Sequence, residues 1–463
     1  MSTEERGPAR VLSRRRAGVL LAASSLRQQG GGAFGDAGRR FLDWLAEAGF
    51  SVWQLLPLVP VDHSGSPYWA RADRAGNPDL LDAQAPDPGS EDDFEAWRAT
   101  ESPQWLDDYL LFEAIGAEQR GAPWWRWPAP LRDRVPAALA DAARRLATPM
   151  RERARLQWRF DMQWRALREH AAARGIRIFG DLPIYVAPDS VATWAHRRQF
   201  QLTPAGEARA VAGVPPDYFA ADGQLWGNPL YDWDAQQRDR FRFWLQRLRL
   251  QAERFDLLRI DHFRALEAYW AVPAGATTAR DGEWRKAPGA ALLRAVAKHL
   301  PKLELVAEDL GIITPEVTQL RHDFHLPGMR VVQFGFDGDP SNPHLPHQHE
   351  FEAIVYTGTH DNDTTVGWYA ALPEATRDLV RRYLGRNDHE VPHAMIRAVL
   401  ASVGCLAVLP MQDILGLGSE ARLNRPGTIT GNWSWTLPTG SLNAGLAARY
   451  RDLLELHNRI PTT

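Results

Sequence analysis

Cysteine is nearly absent: Cys405 is the only one in 463 residues, which excludes an intrachain disulfide framework and a cysteine-rich metal site. It sits in the apolar run CLAVL, where a buried thiol is expected, and a reducing cytoplasm is the expected setting. Long hydrophobic runs are missing too. No stretch approaches the ~18 apolar residues that a membrane span needs, so no membrane partner is expected. An excess of charge of one sign is the third absence, since 54 Lys and Arg face 57 Asp and Glu for a net charge of −3. That balance gives no electrostatic reason to expect nucleic acid, and a small or neutral substrate is easier to accept.

What the chain does have is tryptophan, 19 residues against 10 Tyr and 17 Phe, with Trp124, Trp125 and Trp127 crowded together. Flat indole faces with one N–H donor suit sugar rings, although core filling accounts for most tryptophans in any globular protein. Arg14, Arg15 and Arg16 followed by AGVLLAASS imitate an export signal, but the apolar stretch is short and reads as a first strand.

Short apolar or β-branched runs recur eight times. They begin at Ala17, Ser51, Ile176, Leu257, Leu303, Met329, Ala353 and Cys405, and most are separated by segments with apolar residues three or four apart. Alternating strand and helix predicts a parallel sheet, and eight units predict an α/β fold of the (β/α)₈ barrel type, TIM-like, over residues 1–463. Two spacings exceed a helical crossover. Residues 60–175 are expected to form an insertion after strand 2, and residues 187–240 another after strand 3. The connector DGDPSNPHLPHQHEFE, between the sixth and seventh runs, shows no helical period.

Three of the eight runs close on an acid: Asp261 in LLRIDHF, Glu308 in LELVAEDLG and Asp361 in AIVYTGTHDND. The carboxyl ends of barrel strands are where such an enzyme keeps its chemistry. Arg259 and Asp261 are two apart on a strand and project from one face, so the guanidinium is expected to keep that carboxylate ionised. Glu308, facing Asp261 and Asp361 with partial burial, is expected to hold its proton near neutral pH. A retaining glycosidase needs such a pair about 5–5.5 Å apart, one nucleophile and one acid/base. Asp261 and Glu308 fit those roles, and Asp361 would bind hydroxyls of the distorted sugar. For Asp309, next to Glu308, a helix cap is the simplest expectation.

These residues sit within longer strings: SPY at Ser66, GNP at Gly76, GDLPIYVAPDSVATW from Gly180, GVPPDYFAADGQLWGNPLYDW from Gly213, VAEDLGIITPEV, YTGTHDNDT, and MQDILGLGSEARLNRPGTITGNWSW. Together they resemble a 4-α-glucanotransferase of the amylomaltase or disproportionating-enzyme type, within the α-amylase clan of barrels. The resemblance implies that Asp261 is the nucleophile, Glu308 the acid/base and Asp361 the transition-state stabiliser. It implies that Arg259, His262, His360 and Asn424 line the site, and that Ser66, Tyr68, Asp217, Gln224 and Trp226 contact the glucan. The implied reaction moves an α-1,4-glucan segment from a maltooligosaccharide donor to the 4-hydroxyl of an acceptor such as glucose or maltose. No metal or organic cofactor is implied, and no β-sandwich is expected after the barrel. The chain departs from the family at Ser24 to Gln29, where a Thr-Ser-Leu-Pro type of turn is usual, and at Trp69-Ala70, where Gln-Ser is usual.

Other readings compete. Gly30, Gly32 and Gly35 formally spell a dinucleotide-binding GxGxxG, but the first glycine stands well beyond the strand and no ribose-binding acid follows. His344, His347 and His349 could be metal ligands by composition, yet without helical ligand spacing they read as solvated loop histidines. A glycan-binding protein needs aromatics but no acid/base pair. An α-glucan hydrolase of the same clan is the alternative among enzymes.

Overall fold

The computed structural model of the protein describes residues 11–27, 32–62, 64–101, 105–216, 221–428 and 430–460. Eight parallel strands form the centre: β1 (Arg16–Leu20), β2 (Val52–Gln54), β3 (Arg177–Leu182), β4 (Leu257–Ile260), β5 (Glu304–Ala307), β6 (Gly328–Val331), β7 (Ala353–Tyr356) and β8 (Leu406–Pro410). Their hydrogen-bonded order runs β6, β7, β8, β1, β2, β3, β4, β5. All eight expected runs are therefore strands of one sheet, a TIM-like barrel, and Arg16 opens β1, as the strand reading of that segment requires.

The seam between β5 and β6 is thin. Ala307 N–H donates to the Pro327 carbonyl at 2.9 Å, and Met329 N–H donates to Asp309 Oδ1 at 2.7 Å. Asp309 thus closes the barrel and is not a helix cap; its other oxygen lies 3.3 Å from both Arg321 and Arg330. Gly328 is required at this seam, because a Cβ there would sit 2.4 Å from Asp309 Oδ2.

Strand periodicity sorts the side chains into two layers. Leu20, Val52, Phe179, Leu257, Val306, Ile354, Tyr356, Leu406 and Val408 pack together inside the barrel. Their alternates, among them Val19, Trp53, Ile178, Leu258, Leu305, Val355 and Ala407, face the surrounding helices. Inward parity continues past the apolar layer to Asp181 on β3, to Arg259 and then Asp261 on and beyond β4, and to Glu308 beyond β5. The sequence therefore lifts its charged residues from a dry layer directly to the rim.

Between β2 and β3 lie helices that include Asp107–Glu118 and the long Ala147–Ala173, with an apolar cluster built on Phe94, Phe112, Trp124, Trp127 and Trp158 and joined by Trp194 from beyond β3. Trp124, Trp127, Trp158 and Trp164 of this segment are buried, and Trp97, Trp105 and Trp125 pack partly buried against its cluster. The segment after β3 is not simply loop. Its strands Ala210–Val214 and Gln224–Pro229 join Ala268–Pro273 and Glu283–Lys286, which follow β4, in an antiparallel four-stranded sheet. The sequence reading missed this sheet because its strands are short, rich in Gly, Pro and Trp, and split across two connections.

The connector between β6 and β7 holds 3₁₀ turns at Val332–Gly335 and Pro346–Gln348 and no α-helix. Of its three histidines His347 is exposed, as expected, whereas His344 is half-buried and His349 buried, contrary to expectation. His344 Nδ1 accepts from Val331 N–H at 3.1 Å, and buried His349 lies 2.8 Å from Ser402 Oγ and 3.1 Å from the His344 carbonyl. His347 pairs with the Tyr383 hydroxyl at 2.8 Å. They replace the missing helix as pins of the connector, and burial pushes His344 and His349 down to about 4.

Gly32 and Gly35 pack against Leu81 and Asp82, where a Cβ would come within 1.9 and 2.5 Å of those residues, a close-packing role and no phosphate cradle. Gly30 lies outside the described residues. Cys405 is buried, its thiol pushed up to about 12 by burial. No helix among the described residues is long and apolar enough to cross a membrane.

Candidate active site

The site grows from the register of β4 and β5. Ile260 pairs with Ala307, so the next residues, Asp261 and Glu308, stand side by side at the strand ends. Glu308 N–H donates to the Ile260 carbonyl at 3.1 Å, and Phe263 N–H donates back to the Glu308 carbonyl at 3.1 Å. Adjacent strands lie about 4.8 Å apart, so the two side chains leave neighbouring positions on the rim.

His262 completes the junction. Its φ of +50° is left-handed, unusual for a residue with a side chain, and turns its N–H onto Glu308 Oε2 at 2.6 Å. Leu310 N–H donates to the other oxygen, Oε1, at 2.9 Å. Both oxygens of Glu308 are thus fixed by backbone, which holds the carboxyl in one orientation.

Arg259 links two acids. Its guanidinium lies 2.8 Å from Asp261 Oδ1 and donates to both oxygens of Asp181 at 2.8 and 2.7 Å. Asp181, with a fully buried side chain, also accepts from the Tyr68 hydroxyl at 2.6 Å. Asp181 was not among the candidates, although the sequence carried the signal: a fourth apolar run, IRIFGDLPIYV, that contains an acid.

Burial is the largest influence on both central carboxyls, and it raises each. Asp261 is pushed up to about 6, with Arg259 and His360 opposing and Asp181 and Asp361 assisting. Arg259 acts on this group in the expected direction, but burial at the rim outweighs it. Glu308 is pushed up to about 7 by burial, with Arg259 opposing, Asp261 assisting, and the two backbone N–H groups opposing. Asp361 is among the charges that raise Asp261.

Asp361 lies five residues beyond β7, on a turn closed by Asn362, whose Oδ1 accepts from Thr359 N–H and Oγ1 at 2.9 Å each. The segment after β8 holds it. Asn424 Nδ2 donates to Asp361 Oδ1 at 2.6 Å, and Arg422 donates to its carbonyl at 2.7 Å. Buried Asp413 ties the two ends of the turn, accepting from Thr357 Oγ1 at 2.5 Å and from Thr365 N–H and Oγ1 at 2.7 Å. Arg422 and Asp413 escaped the sequence reading because nothing in their local spacing marks a tertiary contact.

Aromatic rings form the walls. Tyr68 stacks on His360 with centroids 5.1 Å apart and planes 11° apart, and Trp433, also missed, lies 5.9 Å from each. Trp226 meets His262 edge to face at 4.6 Å, and its Nε1 donates to Gln224 Oε1 at 3.1 Å. Burial pushes His262 down to about 3, so it is a neutral imidazole, and its buried Nε2 has no hydrogen-bond partner among the described residues. Ser66 acts locally, its Oγ accepting from Tyr68 N–H at 3.3 Å. Asp217 lies outside the described residues. Among the described residues no group of three or more His, Cys, Asp and Glu is arranged to hold a metal ion.

The arrangement sets two carboxyls, both raised by burial, side by side, with polar groups and aromatic rings around them. The sequence model of the 4-alpha-glucanotransferase family matches residues 21–86 and 83–442. The chain is 43% identical to the 4-alpha-glucanotransferase of Thermus thermophilus, covering 96% of this chain and 99% of that one. It is 42% identical to the 4-alpha-glucanotransferase of a Synechocystis strain, covering 97% and 99%. Among solved structures it is similar to the amylomaltase of Streptococcus agalactiae in complex with acarbose, with a TM-score of 0.92, 30% identity, and coverage of 97% of this chain and 100% of that one.

Proposed function

We propose a residue-level mechanism from the premise that this chain belongs to the 4-alpha-glucanotransferase family and is an enzyme of that activity. It moves α-1,4-glucan segments from a donor to the 4-hydroxyl of an acceptor sugar with retention of configuration. Asp261 attacks the anomeric carbon while Glu308 gives its proton to the glycosidic oxygen; the C–O bond breaks, and the shortened donor leaves. The glycosyl-aspartate then meets an acceptor hydroxyl. Glu308, now the base, takes the hydroxyl proton, the new glycosidic bond forms, and Asp261 is released as carboxylate.

The observation that carries this reading is the junction at residue 262, where the residue after Asp261 fixes Glu308 Oε2 at 2.6 Å. Asp361, oriented by Asn424, would bind ring hydroxyls more strongly in the oxocarbenium-like transition state. Asp181 and Tyr68 are positioning groups, since they act through Arg259. Neutral His262 has an unengaged ring nitrogen for a sugar hydroxyl, and Tyr68, Trp226 and Trp433 supply apolar faces.

Maltooligosaccharides and longer α-1,4-glucans are the proposed donors, and glucose or maltose the proposed acceptors. Residues 60–175 and 187–240 are read as insertions that wall the cleft, a reading supported by the placement of Tyr68 against His360 and of Trp226 against His262. A cytoplasmic setting fits a chain whose single cysteine is a buried free thiol. Incubation with maltotriose tests the reaction. Transfer yields glucose together with longer oligomers, hydrolysis shortens every product, and a mere binder leaves the mixture unchanged.

A further inference from the structure

We propose that Trp284 is the outer platform of an acceptor-side binding site for α-1,4-glucan, reached by long acceptors and not by glucose; this rests on the transferase reading above. Trp284 lies on the edge strand Glu283–Lys286, remote in sequence from every residue assigned so far, and remains 41% exposed. It is nonetheless held firmly. Its cross-strand partner Trp270 meets it edge to face at 5.1 Å, and Trp270 is itself anchored by Nε1 donating to the Ala279 carbonyl at 2.8 Å. The Arg264 guanidinium lies 3.7 Å from the centre of the Trp284 ring and covers one face. The exposed part of Trp284 therefore belongs to an indole already fixed by Arg264 and Trp270, on which a sugar ring stacks at little cost in side-chain entropy.

Continuity with the catalytic centre fixes the side. Arg264 follows Asp261 by three positions and is buried, and its NH1 donates to the Ile312 carbonyl at 2.6 Å. Ile312 follows Glu308 by four positions, and it is 50% exposed. Buried Arg264 thus bridges Trp284 to Ile312, in the segment just past Glu308. Glu308 exchanges its proton with the oxygen of the leaving or entering chain, so that chain lies on the Glu308 side of the cleaved bond. An acceptor long enough to run outward from there meets Ile312 and Trp284.

The test uses α-maltotriosyl fluoride as fixed donor, with glucose or maltoheptaose as acceptor, for wild type, Trp284→Ala and Trp284→Phe. In Trp284→Ala the KM for maltoheptaose should rise about five- to tenfold, the size of a lost ring-stacking contact. The KM for glucose and kcat should stay within about twofold, and Trp284→Phe should recover most of the long-acceptor affinity. Unchanged KM values for both acceptors overturn the proposal, and so does an equal rise for both, which marks a merely structural residue. A wild-type protein without any transfer refutes the transferase reading by itself. The platform is then decided by calorimetric titration with maltoheptaose, where weaker binding by Trp284→Ala supports it and an unchanged Kd refutes it.

Discussion

The backbone N–H of His262 donates to Oε2 of Glu308 at 2.6 Å, so the residue next to Asp261, the proposed nucleophile, orients Glu308, the proposed acid/base. The two carboxyls are consequently one mechanical unit. Neither strand can shift its register without moving the other's reactive group.

That unit sets the pH dependence. The pair titrates with apparent values near 6 and 7, and the productive form carries one proton, with Asp261 ionised and Glu308 protonated. We expect kcat/KM to fall below about pH 6, as Asp261 gains a proton, and above about pH 7, as Glu308 loses its own. A profile flat from pH 5 to 8 would contradict this. His262 should add no limb in that range, because burial keeps it neutral.

Asp181→Asn removes a negative charge that raises Asp261 and leaves Arg259 more fully engaged with Asp261. The acidic limb should therefore move to lower pH, while misplacement of the guanidinium lowers kcat/KM by about tenfold to a hundredfold. A loss of rate without any shift of the limb would assign Asp181 to stability alone.

Glu308→Gln should lose about 10²- to 10⁴-fold on maltotriose but retain first-step activity on α-maltotriosyl fluoride, whose leaving group needs no proton. Equal losses on both donors would remove Glu308 from the acid role.

Asp361→Asn should lower kcat by about 10²- to 10³-fold with little change in donor affinity, and Asn424→Ala should act in the same direction but less, since it only releases the carboxylate. An effect confined to affinity would argue that Asp361 binds the ground state as well as the transition state.

Legibility from sequence followed locality. The barrel strands are short apolar runs, and the inward parity of Arg259 and Asp261 is a period-2 pattern readable in three letters. Asp181 was readable by the same rule and was passed over. Trp433, Arg422 and Asp413 were not, because each acts across dozens of residues on a turn it meets only in the folded chain. The small antiparallel sheet was hidden for a related reason: its four strands come from two segments separated by β4 and the start of the site. Electrostatics was legible in direction for Glu308 and for the pull of Arg259 on Asp261, but not in how far burial at the rim outweighs that guanidinium.

The covalent role of Asp261 is tested most directly by intact-protein and peptide mass spectrometry of Glu308→Gln, quenched in acid during turnover of α-maltotriosyl fluoride, a variant in which release of the intermediate is slowed. The account predicts one maltotriosyl adduct, on the peptide that contains Asp261, and none when Asp261→Asn is added. An adduct on another residue, or one that persists without the Asp261 carboxylate, would contradict it.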